Sequence, residues 1–294
     1  MHESVLLQET IDGLELRDGD VVVDGTLGRA GHSIEMVKRV KVRLIGIDRD
    51  AQAIEESRAK LSAAGANFEL HQGNFADMKS ILAYAGVEHV NKVILDLGVS
   101  SPQIDSSGRG FSFKENEPLS MTMEREPSAD AFTARDIVNG WAEEDIANVI
   151  YAYGEERYAR RIARGIVTAR EIAPIETTHQ LVEIIQRSVP FMYRHGRIHP
   201  ATRTFQALRI AVNDELRSIE RGLDATLSVL QPEGRIAVIS FHSLEDRIVK
   251  ERFRKWEGEG TGKQATKKPI VPSEAEIERN PRSRSAKLRI FIRR

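Results

Sequence analysis

The 294-residue sequence contains no cysteine. That excludes a disulfide framework, thiol catalysis and cysteine-rich zinc sites. Aromatics make up only 6% of the residues. No stretch approaches the roughly 20 apolar residues that a membrane-spanning helix needs, so no membrane partner is expected. Met1-His2-Glu3-Ser4 carries neither a basic region nor a long apolar run, so no secretory signal is visible. The expected compartment is the cytoplasm. Nor is there a large net charge; the balance is −1. A polyanion would have to bind at patches, not through a global field. His195 and His199 are four apart, but Gly196 and Pro200 oppose a helix that would align them, so no metal is expected.

What is present is an ordinary globular composition, 40% hydrophobic and 30% charged, long enough for about two domains. The charge is unevenly spread. Residues 101–156 carry −8, residues 157–221 carry +6, and residues 279–294 carry +7.

The first third alternates strand and helix. Val21-Val22-Val23-Asp24 and Arg43-Leu44-Ile45-Gly46-Ile47-Asp48 are β-branched or apolar runs that end in an acid. Phe68-Glu69-Leu70-His71 and Lys92-Val93-Ile94-Leu95-Asp96-Leu97 supply a third and a fourth strand. Helices are expected between them, one capped by Ser33 and one over 51–63. Apolar strands alternating with helices predict a parallel, doubly wound α/β sheet. The pattern then breaks. Residues 98–120 read as loop, and 142–153, 156–170 and 178–189 as helices, the last capped by Thr177 or Thr178. Arg157, Arg160, Arg161 and Arg164 fall on one face of the second, opposite Tyr158 and Ile162. Phe205, Leu208, Val212, Leu216, Ile219 and Leu223 predict one long helix. Residues 235–241 form a fifth strand, 257–268 look flexible, and Leu288-Arg289-Ile290-Phe291-Ile292 reads as an edge strand closing the sheet. The expected organisation is a discontinuous α/β domain, 1–103 with 209–294, interrupted by a helical insertion over 104–208.

Asp24-Gly25-Thr26-Leu27-Gly28-Arg29-Ala30-Gly31-His32 is a strand-to-helix turn where backbone N–H groups can meet a polar ligand. Its glycines are spaced 25, 28, 31, not G-x-G-x-x-G, which weighs against a nicotinamide oxidoreductase. Asp48 is placed to accept a ribose diol, or else a strand-end acid here caps the next helix, Asp50 rather than Asp48. Together these features favour S-adenosylmethionine over a dinucleotide. Asp96-Leu97-Gly98-Val99-Ser100-Ser101-Pro102-Gln103 clusters polar groups where ligands sit in such sheets. Ser240-Phe241-His242-Ser243-Leu244-Glu245-Asp246 lacks a nucleophile elbow and is expected to line the same cleft. Phe111 and Phe113 either stack on a base or anchor their loop. With the Arg157 face, Arg203 and the basic run around Arg284, they are candidates for gripping RNA.

Those blocks resemble one family. Gly28-Arg29-Ala30-Gly31-His32-Ser33, Asp48-Arg49-Asp50, the run 95–103 and Arg109-Gly110-Phe111-Ser112-Phe113 all carry the likeness. So do Tyr153-Gly154-Glu155-Glu156-Arg157, His199-Pro200-Ala201-Thr202-Arg203-Thr204-Phe205, the run 240–247 and the run 280–289. The chain resembles the bacterial RsmH (MraW) family of small-subunit ribosomal RNA (cytosine-N4)-methyltransferases. The resemblance implies a class I methyltransferase fold, Rossmann-like with an inserted helical domain. It implies S-adenosyl-L-methionine as cofactor and a cytidine amine in the decoding region of 16S rRNA, within the small subunit, as acceptor. It places cofactor contacts on Ala30, Gly31, His32, Asp48, Phe75, Asp96 and Gln103. Amino-methyltransferases place hydrogen-bond acceptors just after the fourth strand. Asp96 is therefore the first choice for catalysis, with Ser100 as helper, alongside its cofactor role. Phe111, Phe113, Arg157, Arg203, His242 and Arg284 are the expected substrate contacts. A monomer or a homodimer fits equally. Two departures stand out. The family has two glycines where this chain has Ala30-Gly31, and Asp-Met-Arg-Met-Asp where it has Ser120-Met121-Thr122-Met123-Glu124. They keep open an alternative, an RNA-binding ribosome-assembly protein of the same fold with weakened catalysis.

Overall fold

The computed structural model describes residues 4–99, 104, 107–124 and 130–294. Along the chain run α1 (Leu7–Leu14), β1 (Val21–Asp24), α2 (Gly31–Arg39), β2 (Arg43–Asp48), α3 (Ala51–Ala63), β3 (Asn67–Gln72), α4 (Met78–Tyr84) and β4 (Val90–Asp96). A helical series follows: α5 (Ala134–Gly140), α6 (Glu143–Gly154), α7 (Ala159–Arg170), α8 (Thr178–Ser188), α9 (Phe191–Arg194) and α10 (Ala201–Asn213). The chain closes with α11 (Glu215–Val229), β5 (Leu230–Ser240), α12 (Ser243–Gly258), β6 (Gly262–Gln264), α13 (Glu274–Arg279) and β7 (Lys287–Arg293). Packing divides it into two units, Met1–Gly98 with Leu216–Arg294, and Val99–Glu215.

The first unit holds a seven-stranded sheet in the order β3-β2-β1-β4-β5-β7-β6. Strands β1 to β5 are parallel, and β7 runs antiparallel to β5. This is a mostly parallel, Rossmann-like sheet. The apolar runs are continuous because both faces are covered. Val22, Leu44 and Ile94 pack into one buried cluster, while Val23, Ile45 and Val93 pack into the other. The strand order reverses between β1 and β4 while both strands run parallel, so their carboxyl ends open a crevice for ligands. A buried ion pair ties α12 to β7: Arg289 Nε donates to Asp246 Oδ1 at 2.7 Å. Burial raises the Asp246 pKa, but Arg289 and Lys287 outweigh it and hold the carboxyl below its ordinary value.

The second unit has its own core, including Ile137, Ile150, Ile162, Leu181 and Phe205. Capping boxes start α5, through Thr133 and Asp136, and α8, through Thr177 and Gln180. Gly154 lets α6 and α10 close together, since a Cβ there would stand 2.5 Å from the Arg203 carbonyl oxygen.

Five expectations need correction. The single long helix is two, broken at Asp214 in the left-handed region (φ 48°), which Asp tolerates better than most residues. Packing divides the chain at Glu215/Leu216 and at Gly98/Val99. Residues 257–268 hold the end of α12 and the strand β6, which pairs with β7. That pairing makes β7 an interior strand, with β6 at the edge. Ser33 does not cap α2. Its hydroxyl donates instead to Asp24 Oδ2 at 2.6 Å, and the cap position is Ala30. Tyr158 lies under the arginines of the second unit, not opposite them, with Arg157 and Arg161 at 4.8 and 5.9 Å from its ring centroid.

Candidate active site

Three carboxylates end three neighbouring strands: Asp48 on β2, Asp24 on β1 and Asp96 on β4. Asp48 is held from both sides. The Gly28 N–H donates to its Oδ2 at 2.7 Å and the Asp50 N–H to its Oδ1 at 2.8 Å. Asp50 itself caps α3. The Arg49 N–H is a third donor to this carboxylate; of about four lone-pair sites, Asp48 keeps room to accept from a ribose hydroxyl. Burial raises the Asp48 pKa, and those N–H donors oppose it.

Asp24 is fully packed. Burial pushes its pKa up to about 6, against the hydrogen bonds from Ser33 and the Thr26 N–H. Asp96 goes further, to about 8, raised by burial and then by the charges of Asp24 and Glu245. The Asp96 side chain keeps 27% of its surface exposed. Its Oδ1, however, is out of solvent and has no hydrogen-bond partner among the described residues. An orphaned buried acceptor is costly and marks where a ligand's donor belongs. The backbone N–H of Asp96 donates to Thr26 Oγ1 at 2.6 Å, which fixes the strand end.

His32, buried at the start of α2, faces Asp96 with Nδ1 3.8 Å from Oδ2. Its Nε2 lies 3.1 Å from the Val5 carbonyl oxygen. A carbonyl only accepts, so Nε2 carries a proton, and Nδ1 is the ring atom that faces Asp96. Residues 25–30 are pinned by Gly25 N–H to the Ile94 carbonyl and Leu27 N–H to the Ile47 carbonyl. Ala30 sits at φ 58°, ψ 28°, the left-handed conformation a glycine would adopt without cost. Phe75 lies against Gly222 of α11, where a Cβ would stand 2.3 Å from the ring. Only a residue without a side chain admits the ring there.

The remaining expected residues are dispersed. Ser100 and Gln103 lie outside the described residues. His242 accepts the Glu245 N–H as the N-cap of α12, with Glu245 closing the capping box. Arg284 is exposed in a short 3-10 turn. In the second unit, Phe113 stacks on His199 at 4.6 Å and meets Phe205 edge-on, so it anchors its loop. The Arg109 guanidinium sits 5.4 Å from the centroid of the Phe111 ring. Arg203 Nη1 donates to the Glu155 carbonyl. Arg157 spans the rings of Tyr158 and Tyr193. Beneath them, fully buried Glu156 accepts from the Tyr193 hydroxyl at 2.5 Å and from the Tyr158 N–H at 2.8 Å.

Sequence reasoning missed Thr26, Ser33 and Gly222 as parts of the site. Ser33 two residues into a helix following a strand-end acid is a signal that was available. Thr26 and Gly222 act across the fold and left no local trace.

A solved rRNA methylase from Streptococcus thermophilus aligns with 100% of this chain and 99% of its own, at 11% identity and a TM-score of 0.47. Two relatives match far more closely in sequence. Ribosomal RNA small subunit methyltransferase H 2 of Agathobacter rectalis is 46% identical over 99% of this chain and 97% of its own length. Ribosomal RNA small subunit methyltransferase H of Citrifermentans bemidjiense is 48% identical over 98% and 97%. The model of the MraW methylase family matches residues 1–294. The chain belongs to the MraW methylase family. As a MraW methylase it uses S-adenosylmethionine as cofactor. The site fits that group: Asp48 keeps room to accept from a ribose hydroxyl, and clustered acids suit a sulfonium cation. No helix among the described residues of this MraW methylase is long and apolar enough to cross a membrane.

Proposed function

We propose that the chain methylates the exocyclic N4 amine of a cytidine in the decoding region of small-subunit ribosomal RNA, within the assembled subunit. The small-subunit RNA rests on the names of relatives at 46% and 48% identity. The cytidine and its N4 rest on the resemblance stated above. The observation that carries the chemistry is the orphaned Asp96 Oδ1.

Asp48 would hold the ribose of S-adenosylmethionine, with Phe75 on the adenine side and residues 30–32 beside the amino-acid end. When bound, the cofactor supplies an electrophilic methyl carbon. The difficulty lies in the nucleophile, because the lone pair of the cytosine amine is delocalised into the ring. In its ionised form Asp96 Oδ1 would accept a hydrogen bond from the amine N–H, draw the nitrogen toward tetrahedral geometry, and take its proton as the methyl passes from the sulfonium sulfur to nitrogen, the S–C bond breaking to leave a neutral thioether. Thr26 keeps Asp96 in place, and His32 faces its other oxygen. Ser100 is the proposed helper, Gln103 a further cofactor contact. The base must leave its stack to reach the site. Phe111, Arg157, Arg203, His242 and Arg284 remain proposed RNA contacts, His242 and Arg203 through the segments they brace.

The test is methyl transfer from labelled S-adenosylmethionine to small ribosomal subunits that lack the modification, followed by nucleoside analysis. N4-methylcytidine at one position is expected. Cofactor binding without transfer would support the assembly-protein alternative, which the left-handed Ala30 favours.

A further inference from the structure

Large apolar side chains exposed singly are normal on a protein surface. Here they are not evenly scattered. Among the described residues, Phe191, Met192 and Ile198 are 68%, 81% and 55% exposed, within eight positions of one another. All three belong to residues 187–203 of the second unit. That stretch contains Arg187, Arg194, Arg197, Arg203, His195 and His199, and no acid.

Of the four arginines expected to hold RNA, three already have contacts within the fold, while Arg160 is exposed and makes none among the described residues. Arg157 and Arg161 lie over Tyr158, and Arg164 faces Glu143 at 3.6 Å. Residues 187–203 contrast with them. Arg197 makes no hydrogen bond or ion pair among the described residues. Arg187 pairs only with Glu183, on the surface, where such a pair is weak and screened. Arg194 is exposed and gives a single bond to the Val189 carbonyl. The segment is also held in shape. Val189 and Pro200 are buried at its two ends. Tyr193 is pinned to buried Glu156. Phe191 and His195 form an exposed aromatic pair, ring centroids 4.5 Å apart.

We infer that residues 187–203 grip single-stranded RNA, with bases stacking on Phe191 and His195 and phosphates meeting Arg194 and Arg197. This rests on the proposed RNA substrate. Aromatics, methionine and arginine are enriched at protein interfaces as well, but four arginines with no acid among them give this stretch the charge of a polyanion site. Rings interleaved with arginines, with no acid nearby, match how splayed RNA is bound. The surface is additional to the contacts proposed above, because none of its four contacting side chains is among them.

The experiment measures binding of a fluorescein-labelled single-stranded oligoribonucleotide and of unmodified small subunits, across a salt series. The proteins are the wild type, Phe191→Ala, and Arg194→Ala/Arg197→Ala. Phe191→Ala is expected to weaken RNA binding about tenfold, within the range for one stacked base. The double arginine variant should lower the slope of log affinity against log salt by about 1.4, from roughly 0.7 per phosphate contact on a single strand. Thermal stability and S-adenosylmethionine binding should be unchanged, as these side chains are exposed. Wild-type affinity and slope in the variants would overturn the inference. So would lost binding to subunits with RNA binding and its salt slope intact, which would identify a protein partner. Methyl transfer at an unchanged KM in both variants would also sink the grip while leaving the proposed function standing. RNA binding that weakens as expected, in a protein that transfers no methyl group, would support the grip and sink the function.

Discussion

The hydroxyls of Ser120 and Thr122 lie 3.0 Å apart. These are the two positions where the resembling family carries an acid and a base. The side chains at 120 and 122 therefore touch, and the departure replaces one interacting pair with another of the same net charge. Around them, Arg109 donates to the Thr122 and Met123 carbonyls, and Asn213 binds Met121 and Met123. Ser120→Asp alone places a carboxylate without its partner, and Thr122→Arg brings a second cation near Arg109. Each single change should destabilise, and the double variant should recover about 1 kcal/mol of coupling. A double-mutant cycle in denaturant measures this, and additive losses would refute it.

Ala30 makes a second departure testable. A left-handed alanine costs roughly 1–2 kcal/mol, while removing its buried methyl forfeits about 0.8 kcal/mol. The relief is the larger quantity. Ala30→Gly should raise stability by about 0.5 kcal/mol and leave cofactor affinity equal or better. A loss of stability would mean that the methyl's packing dominates.

Protonation of the acid cluster predicts how ligand binding depends on pH. The folded-state values of Asp24 and Asp96 are raised to about 6 and 8 from 3.8. The folded, ligand-free protein therefore holds protons that the unfolded chain has released. Its stability from these groups falls as pH rises from about 4 to 8. A sulfonium cation favours the ionised acids. Affinity for S-adenosylmethionine should thus rise with pH up to about 8, by roughly tenfold per unit. Neutral S-adenosylhomocysteine should show little change. Calorimetric titrations at several pH values compare the two, and parallel profiles would contradict the electrostatic account.

The second unit rests on another buried acid. Tyr193→Phe removes one of the two hydrogen bonds that hold Glu156. The expected cost is about 1.5–3 kcal/mol, the range for a bond to a charged group. Burial, together with Glu156, raises the Tyr193 pKa to about 12. Tyrosine absorbance should therefore titrate one phenol late in the wild type and lose it in the variant. A stability change near zero would show that water replaces the hydroxyl.

The parallel sheet was legible because its strands are short apolar runs ending in acids, and that pattern needs only local information. The same acids mark the candidate site, since Asp48 and Asp96 fall at strand ends that meet the crevice. What sequence could not supply were events set by tertiary packing. The break at Asp214 interrupts an unbroken apolar period, because the two halves of that pattern serve different cores. Strand β6 has only three residues and exists by pairing with β7. Phe113 had two readings of equal merit, and contact with His199 and Phe205 decided for the anchor. His242 carried the look of a cleft residue and is a helix cap.

The most direct test of the account is the single-turnover rate of Asp96→Asn at saturating cofactor, with Ser101→Ala as comparison. An amide cannot take the amine's proton at that position. The account predicts a fall of at least about a hundredfold for Asp96→Asn, in the range of lost general-base catalysis, with S-adenosylhomocysteine binding retained and Ser101→Ala near wild type. Comparable rates in the two variants would remove Asp96 from the chemistry and leave it a cofactor contact.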